Sequence, residues 1–175
     1  MCVGQQGGSE AVVHSMVDIF ADESCQGLIQ VDDENAFNSL NRKVLLQNIF
    51  HSCPEIAIYT YNCYAMLARL FVTGGGEIKS EEGTTQGDPI AMPIYAIGID
   101  PLIKVLRSCL GVQQAAFADD LSGTGSIESL KAWWDKEVSL GPKIGYYAKP
   151  SKSWLIVKPQ LLAKAERRDL SEFWS

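Results

Sequence analysis

The sequence predicts an α+β domain in which a small antiparallel sheet carries helices packed on one face. Helical and strand-forming segments do not alternate regularly along the chain, which argues against a doubly wound parallel sheet. The strand-forming residues 26–32 also lie far in sequence from a second strand-forming region around Asp119 and Asp120. Strands that are distant in sequence must therefore combine into one sheet.

The first part of the chain predicts a helix, a strand and two further helices. Apolar residues recur at helical spacing over residues 9–22. Residues 26–32 are β-formers and end in consecutive acids, which predicts a short strand with carboxylates at its tip. Residues 42–52 form an apolar helical pattern, and Pro54 begins another helix where its missing N–H loses no bond.

The middle of the chain predicts a hairpin followed by a long helix. Glycines 74–76 separate two strand-forming runs and supply the positive φ angles of a tight turn. A phosphate loop is the alternative, but the Lys-Ser/Thr and helix that should follow it are missing. Asp88 is a suitable N-cap and Pro89 a suitable first residue for an apolar helix. Pro101 predicts a kink or break near residues 98–100.

The last part of the chain predicts a second hairpin and a mixed C-terminal region. An apolar run, residues 114–118, leads into Asp119 and Asp120, and turn-forming residues 122–125 follow. This pattern predicts two strands that meet at a tight turn with both acids at its tip. The remaining predicted elements are a helix from Ser126 to about Leu140, strands at residues 146–147 and 153–157, and a charged helix from Pro159 to about Arg168.

The charges are unevenly distributed along a chain whose net charge is −6. Residues 1–130 contain 6 Lys and Arg against 16 Asp and Glu, whereas residues 131–175 contain 9 against 5. A negative net charge argues at first against a nucleic-acid partner. The acidic part, however, contains the candidate metal site and the basic part follows it. Chance surface composition is the alternative explanation.

Cysteine usage and hydropathy indicate an intracellular protein. None of the five cysteines has Cys-x-x-Cys spacing, so neither a zinc site nor a disulfide framework is expected, and buried thiols fit a reducing compartment. No apolar run could span a bilayer, and the N-terminus lacks the features of a signal peptide. We therefore expect a protein of the cytoplasm or nucleus that is not secreted and has no membrane partner.

The acids at the ends of two predicted strands form a candidate metal site. Asp119 and Asp120 repel each other unless a cation lies between them, and Mg²⁺ prefers oxygen ligands. If the strand that ends at Asp32 lies beside the acidic hairpin, Asp32 and Asp119 come together. Such a cluster can hold two Mg²⁺ ions about 3.5–4 Å apart and support in-line displacement at phosphorus. A solvated acidic turn is the alternative.

Three segments together resemble the motifs of a known enzyme family. Residues 31–38 (VDDENAFN) place an aromatic residue five positions after Asp32. Residues 82–89 (EGTTQGDP) contain a Gln-Gly-Asp-Pro run, and residues 117–120 (FADD) pair an aromatic residue with two acids. A weaker segment, residues 145–152 (GYYAKPSK), follows with two lysines. In this order the segments resemble those of reverse transcriptases, most closely those of non-LTR retrotransposons.

This resemblance implies a polymerase palm with two Mg²⁺ ions, for which Mn²⁺ is the alternative. Asp32 and Asp119 would be the main catalytic metal ligands, with Asp120 beside them. Asp33 stands where the family usually has an apolar residue, and it would reach a metal mainly through its backbone carbonyl. The implied reaction is the transfer of nucleotides from dNTPs to the 3′-hydroxyl of a DNA primer on an RNA template.

The resemblance also implies a surface for the nucleotide and the template. Phe37 would be a steric gate whose ring fills the space that a ribose 2′-hydroxyl needs, and a core role for the ring is compatible with this. Gln86 and Gly87 would line the nucleotide and template side. Lys152 would lie near the pyrophosphate leaving group, with Lys149 as its rival. A solvated lysine is the alternative for either position.

The implied domain organisation is a palm with little else. Residues 1–24 would be a remnant of the fingers and its leading helix, residues 25–158 the palm, and residues 159–175 a basic helix or tail. A truncated, non-catalytic remnant that at most binds nucleic acid or a partner is the main alternative. A further alternative is another palm-type enzyme, either an RNA-templated RNA polymerase or a nucleotide cyclase. Phe37 and the Gln-Gly-Asp-Pro run argue against both.

Overall fold

A four-stranded antiparallel sheet and a separate two-stranded hairpin organise the chain, of which the computed structural model describes residues 6–85 and 87–166. The strands are β1 (Gly27–Val31), β2 (Ala68–Val72), β3 (Gly76–Ser80), β4 (Val112–Phe117), β5 (Asp120–Gly125) and β6 (Trp154–Val157). The helices are α1 (Gly8–Ala21), α2 (Ala36–Ser39), α3 (Arg42–Ser52), α4 (Pro54–Tyr64), α5 (Ala91–Arg107), α6 (Ile127–Leu140) and α7 (Leu162–Glu166). Short 3₁₀ turns cover Gly141–Ile144, Pro150–Lys152 and Pro159–Leu161.

The larger sheet has the strand order β4-β5-β1-β6. β1 pairs antiparallel with β5, so that Val31 lies opposite Leu121, and its other edge pairs with β6. β4 and β5 form a hairpin that closes at the pair Phe117 and Asp120. The predicted pairing of the acidic strand with the acidic hairpin is therefore present. The α+β fold class with a small antiparallel sheet is confirmed.

The core lies on the face of the sheet that carries Ile29, Val31 and Leu121, none of which is more than 2% exposed. Burying a side chain of this size stabilises a fold by about 1.5–3 kcal/mol. The indole N–H of Trp133 donates to Gln114 Oε1 at 3.1 Å, which satisfies a buried polar group at the boundary between α6 and β4. The helices α5 and α6 cover this face with buried apolar side chains: Ile94, Ile99, Leu102, Leu106, Leu130, Trp133 and Trp134.

The opposite face of the sheet is partly covered by α1. Leu28, Gln30 and Ser122 alternate with the core residues along β1 and β5 and therefore face the other way. Together with α1 they line a cleft of about 500 Å³ that extends to Asp120. The prediction of helices on one face thus describes α5 and α6, while α1 lies on the face that leads to the acidic turn.

Two predicted features of the helices differ from the structure. The long helix α5 begins at Ala91 rather than Pro89, although Asp88 Oδ1 still accepts the N–H of Ile90 at 3.0 Å. No break occurs near residues 98–100, because α5 continues through Pro101 to Arg107. Pro101 lies on the exposed side of α5. The amide of Asn48 donates to the carbonyl of Gly98 at 2.9 Å, so an α3 side chain supports the helix one turn before the proline.

Two predicted features of the strands also differ. Residues 122–125 belong to β5 rather than to a turn, because they pair with β1 on one side and with β4 on the other. At Gly125 the absence of a side chain permits the close approach of Gly111, whose carbonyl would lie 2.2 Å from an added Cβ. Residues 146–147 do not form a strand. They follow a 3₁₀ turn, and the pairing near them is a single bridge between Asp33 and Ala148.

The C-terminal helix is shorter within the described region than predicted. It consists of a 3₁₀ turn, Pro159–Leu161, followed by α7, and residues 167–175 lie outside the described residues. Among the helices of residues 6–85 and 87–166, none is both long enough and apolar enough to cross a membrane.

One buried acid in α6 conflicts with the apolar core around it. Glu137 is 0% exposed, and neither of its carboxylate oxygens has a hydrogen-bond partner among the described residues. Burial, with a smaller contribution from the charge of Asp33, raises the pKa of Glu137 to about 8. The folded domain therefore keeps this side chain protonated at neutral pH, whereas the unfolded chain ionises it.

Replacing Glu137 with glutamine is expected to stabilise the domain in a pH-dependent way. Below the ordinary glutamate pKa of 4.5, both states are protonated and the substitution should change little. As the pH rises toward about 8, only the unfolded state ionises and the native protein loses stability that Glu137→Gln retains. Urea unfolding near pH 8 should show a gain on the order of 4 kcal/mol, since each unit of pKa difference corresponds to about 1.4 kcal/mol. An equal gain at low and high pH would contradict this account, and the exposed Glu10→Gln is the control.

Candidate active site

Three acidic residues lie where the two inner strands of the larger sheet, β1 and β5, end and begin, and we call this end of the sheet the acidic edge. β1 ends at Val31, so Asp32 is the first residue beyond it. β5 begins at Asp120, and Asp119 lies in the turn that precedes it. Because Val31 pairs with Leu121, continuing the antiparallel register by one residue sets Asp32 opposite Asp120. The fold therefore brings together the three acids that the sequence singled out.

The turn that carries Asp119 has an unusual backbone. Ala118 has φ 54°, in the left-handed region that non-glycine residues rarely adopt, and such a conformation costs on the order of 1 kcal/mol. The strand pair of Phe117 and Asp120 closes the turn. The buried Tyr146 also stabilises this turn, because its hydroxyl donates to the Asp119 carbonyl at 3.3 Å. Burial raises the pKa of Tyr146, so this hydroxyl remains a donor.

The carboxylates at this edge repel one another. The pKa of Asp120 is raised, first by burial and then by the negative charges of Asp119 and Asp32. The pKa of Asp33 is raised to about 7, mainly by burial. Hydrogen bonds from the backbone of Tyr147 and Glu34 oppose this rise, while the charges of Asp119 and Asp32 add to it.

The donor set at this edge fits a hard divalent cation. Carboxylate oxygens are the ligands that Mg²⁺ and Mn²⁺ prefer, and a cation would relieve the repulsion that raises the pKa of Asp120. As they stand, however, no three acidic, histidine or cysteine side chains of residues 6–85 and 87–166 converge closely enough to hold an ion. Asp32, Asp119 and Asp120 would have to turn their side chains toward a common point when an ion binds.

Asp33 is buried, whereas Asp32 and Asp119 are partly exposed and Asp120 is exposed. Asp33 is 7% exposed, and its Oδ1 accepts the backbone N–H of Tyr147 at 2.6 Å. The backbone around it continues this connection, because Glu34 N donates to Tyr147 O at 2.9 Å and Lys149 N donates to Asp32 O at 2.9 Å. The side chain of Asp33 thus joins the segment after β1 to residues 147–149.

Phe37 lies beside the acidic edge, in the short helix α2. Its ring packs on the buried Tyr95, with ring centroids 4.5 Å apart. Phe37 also lines a cavity of about 290 Å³ with Gly87, Asp88, Ala91 and Met92. The fold therefore brings together Phe37 and Gly87, two residues predicted to contact a nucleotide. Gln86, the third, lies outside the described residues.

The loop between β3 and α5 is held against the backbone of α2. Thr84 N donates to the Phe37 carbonyl at 2.5 Å, and Gly83 N donates to the Leu40 carbonyl at 2.8 Å. Gly83 has φ 66°, and an added Cβ would lie 2.1 Å from the Phe37 carbonyl oxygen. Only glycine allows this approach, so the contact between the loop and α2 depends on Gly83.

The two candidate lysines have different surroundings. Lys149 Nζ lies 2.9 Å from Glu34 Oε1, in a partly exposed ion pair. Lys152 ends the 3₁₀ turn Pro150–Lys152 and is exposed, and its ammonium has no side-chain partner in the described part of the chain. Lys152 is therefore the lysine that is available to a ligand.

Residues 7–162 match the family of reverse transcriptases (RNA-dependent DNA polymerases). The chain belongs to the reverse transcriptase family. No curated protein matches its sequence.

Solved telomerase structures share the fold of this reverse transcriptase chain. Apo telomerase from Candida tropicalis superposes with a TM-score of 0.66 at 13% identity, over 87% of this chain and 32% of that one. The same telomerase truncated from its C-terminal domain gives 0.63 at 15% identity, over 86% and 35%. Candida albicans telomerase in complex with a fragment of telomeric RNA gives 0.61 at 11%, over 86% and 32%. This reverse transcriptase chain thus spans about a third of the telomerase chains it resembles.

Sequence reasoning missed three residues that shape the site of this reverse transcriptase. Tyr146 was predicted as part of a strand and of the motif at residues 145–152, with no contact to the acids, yet it supports the Asp119 turn. Arg42 and Tyr64 were predicted only as helix residues, yet both bond to the loop before α5. These contacts join side chains to distant backbone groups or carboxylates, and no local spacing pattern signals them. The sequence gives only a weak indication of the role of Arg42 at the start of α3. An arginine is seldom buried without partners, but its burial cannot be seen from the sequence.

Proposed function

We propose that the chain is the palm of an RNA-directed DNA polymerase, which transfers nucleotides from dNTPs to a DNA primer on an RNA template. The pairing of β1 with β5 carries this proposal, because it brings Asp32 beside the Asp119 turn. Membership of the reverse transcriptase family supports the reaction class. The RNA bound to Candida albicans telomerase supports RNA as the nucleic-acid partner.

The acids have assigned roles in this proposal. Asp32 and Asp119 would be the main ligands of two Mg²⁺ ions, or of Mn²⁺, with Asp120 beside them and Asp33 contributing its backbone carbonyl. When bound, such ions would lower the pKa of the primer 3′-hydroxyl and neutralise phosphate charge. The chain itself would keep Asp32 and Asp119 adjacent through the pairing of β1 with β5 and would hold the Asp119 turn through Tyr146.

The remaining site residues would handle the substrate. Gln86 and Gly87 would line the nucleotide and template side, and Gly87 is exposed at the cavity next to Phe37. Lys152 would approach the pyrophosphate leaving group. Its exposure supports Lys152 over Lys149, which is already paired with Glu34.

Replacing Phe37 with valine is expected to weaken the selection of deoxynucleotides. Phe37 lines the cavity with Gly87, and a smaller side chain would leave room for a 2′-hydroxyl. The ratio of ribonucleotide to deoxynucleotide incorporation should rise by about tenfold or more, as expected when a steric block is removed. The control is Phe50→Val, at a phenylalanine that is 49% exposed. An unchanged ratio in Phe37→Val would remove the steric gate from the proposal.

The proposed domain assignment follows the site. Residues 25–158 contain the sheet, the acidic edge and the loop before α5, and we assign them to the palm. Residues 1–24 would belong to the fingers and residues 159–175 to a basic tail. The order of the motifs supports a relationship to non-LTR retrotransposons. Because the chain spans about a third of the telomerase chains, duplex binding by fingers and thumb is not assigned to it.

A second candidate function is a non-catalytic reverse transcriptase remnant. One observation favours it: within the described ranges, no three acidic side chains converge as a ready metal site. Such a protein would at most bind nucleic acid or a partner and would show no dependence on Asp119.

Template-directed incorporation by the full chain tests the proposed function. The protein is incubated with a poly(rA) template, an oligo(dT) primer and Mg²⁺ or Mn²⁺, with each dNTP supplied separately. The proposal predicts incorporation of dTMP only, and none without the template. No incorporation with either metal would overturn the proposal in favour of the remnant. Incorporation that does not depend on the template would overturn the template-directed reaction.

A further inference from the structure

Arg42 is a buried cation that bonds mainly to backbone groups of the loop before α5. It is 6% exposed and is the first residue of α3. Its Nε donates to Gly83 O at 3.1 Å, its Nη1 to Ser80 O at 3.0 Å, and its Nη2 to Glu82 O at 2.8 Å. Nη2 also donates to Ser80 Oγ at 3.1 Å. A guanidinium with several donors in a fixed plane can hold three residues of a loop at once.

Tyr64 holds the other end of the same loop. It is the last residue of α4 and is 3% exposed. Its hydroxyl donates to Asp88 Oδ2 and accepts the N–H of Thr85 at 3.5 Å. Burial and the bond to Asp88 raise the pKa of Tyr64 to about 12, so the hydroxyl stays a donor at any ordinary pH.

The two anchors are in contact with each other. The Arg42 guanidinium lies over the Tyr64 ring, with Cζ 5.6 Å from the ring centroid. Arg42 bonds to residues 80–83 and Tyr64 to Thr85 and Asp88, so they bracket the segment that contains Gly87. Between the anchors, Thr84 N donates to the Phe37 carbonyl.

We propose that Arg42 and Tyr64 are positioning residues that clamp residues 80–85 and Asp88 against α2 and α4, and so fix the shape of the cavity between Phe37 and Gly87. The proposal rests on the proposed function, in which this cavity receives the sugar and base of the incoming nucleotide. Neither residue lines the cavity, so the clamp acts through the loop. Loosening it should impair nucleotide binding and sugar selection more than the chemical step.

The test uses Tyr64→Phe in the full chain. This variant keeps the ring, its packing and its contact with Arg42, and it removes only the hydroxyl that bonds to Asp88 and Thr85. The matched control is Tyr61→Phe, three residues earlier on α4, where the side chain is 51% exposed. A second variant, Arg42→Lys, keeps the charge but loses the planar set of donors and should loosen residues 80–83.

Amide hydrogen exchange gives the first readout and does not require activity. In Tyr64→Phe the hydrogen-bonded amides of Thr84, Thr85, Asp88 and Ile90 should exchange about tenfold faster or more, while the sheet amides keep the wild-type rate. In Tyr61→Phe all of these amides should exchange at the wild-type rate. Unchanged exchange in both Tyr64→Phe and Arg42→Lys would overturn the clamp.

Nucleotide kinetics give the second readout, which a merely structural role would not reproduce. Tyr64→Phe should raise the KM for dTTP by about fivefold or more, leave kcat within about twofold, and increase ribonucleotide use. A fall in kcat with unchanged KM would overturn the positioning role. A wild-type chain that incorporates no nucleotide would overturn the proposed function instead, and the exchange experiment would still decide the clamp.

Discussion

Replacing Gly83 with alanine should destabilise the domain by at least about 3 kcal/mol, within the range of severe core substitutions. An added Cβ would lie 2.1 Å from Phe37 O and 2.4 Å from Asn38 Cα, which are backbone atoms that cannot rotate away. The φ of 66° at Gly83 would add backbone strain. Either the loop before α5 must leave α2, or α2 must move away from the acidic edge.

Alanine substitutions at two other glycines distinguish the effect of the steric clash from the effect of the backbone strain. Gly87 has φ 92° but open space around an added Cβ, so Gly87→Ala should cost only about 1 kcal/mol. Gly76→Ala would meet only Val72 Cβ at 3.6 Å, an ordinary contact, and should change stability by less than about 1 kcal/mol. Urea unfolding of the three variants provides the comparison. A Gly83→Ala protein as stable as Gly87→Ala would show that the loop does not pack on α2 as described.

Replacing Asp119 with asparagine should lower template-directed incorporation by about a thousandfold or more, as for other groups that stabilise developing charge. The substitution keeps the shape of the side chain but removes a negative charge and a proposed metal ligand. It should leave the fold intact, because Asp119 lies in a turn whose support comes from its backbone carbonyl and from the pairing of its neighbours.

Asp120 provides an internal comparison for that experiment. It is the first residue of β5, and in the proposal it lies beside the two main metal ligands rather than being one of them. Asp120→Asn should therefore lose less activity than Asp119→Asn. Exposed Asp18 on α1 serves as the neutral control. Equal incorporation by the wild type and Asp119→Asn would exclude this acid from the reaction.

The acidic edge could be predicted because the relevant signals are local. Residues 26–32 read as a strand that ends at Asp32, and the run before Asp119 reads as the first strand of a hairpin. Once two such strands share a sheet, antiparallel pairing leaves little freedom in where their acids lie. The pairing of Val31 with Leu121 agrees with that reasoning.

The contacts that hold the site could not be predicted in the same way. Arg42 bonds to carbonyl groups some 40 positions away, and any residue type can supply a carbonyl. Tyr146 supports Asp119 across a separation of 27 residues. The course of α5 through Pro101 was missed for a related reason. Local propensity predicts a break there, but burial of Ile99, Leu102 and Leu106 on either side outweighs it.

The acids at the acidic edge differ in how well they are suited to bind a cation. Asp33 has its pKa raised to about 7 and its side chain bonded to Tyr147, so it belongs to the fold more than to a metal site. In the proposed function, Asp32 and Asp119 are the main ligands of the cations. Their role can be measured without any substrate, which separates it from duplex binding.

Mn²⁺ binding, followed by the loss of the free-ion signal in electron paramagnetic resonance, tests this central claim most directly. The wild-type chain should bind about two ions, and Asp32→Asn and Asp119→Asn should each weaken binding by about tenfold or more, while Asp18→Asn binds as the wild type does. Binding by Asp32→Asn and Asp119→Asn that equals the wild type would contradict the assignment of this edge as the metal site.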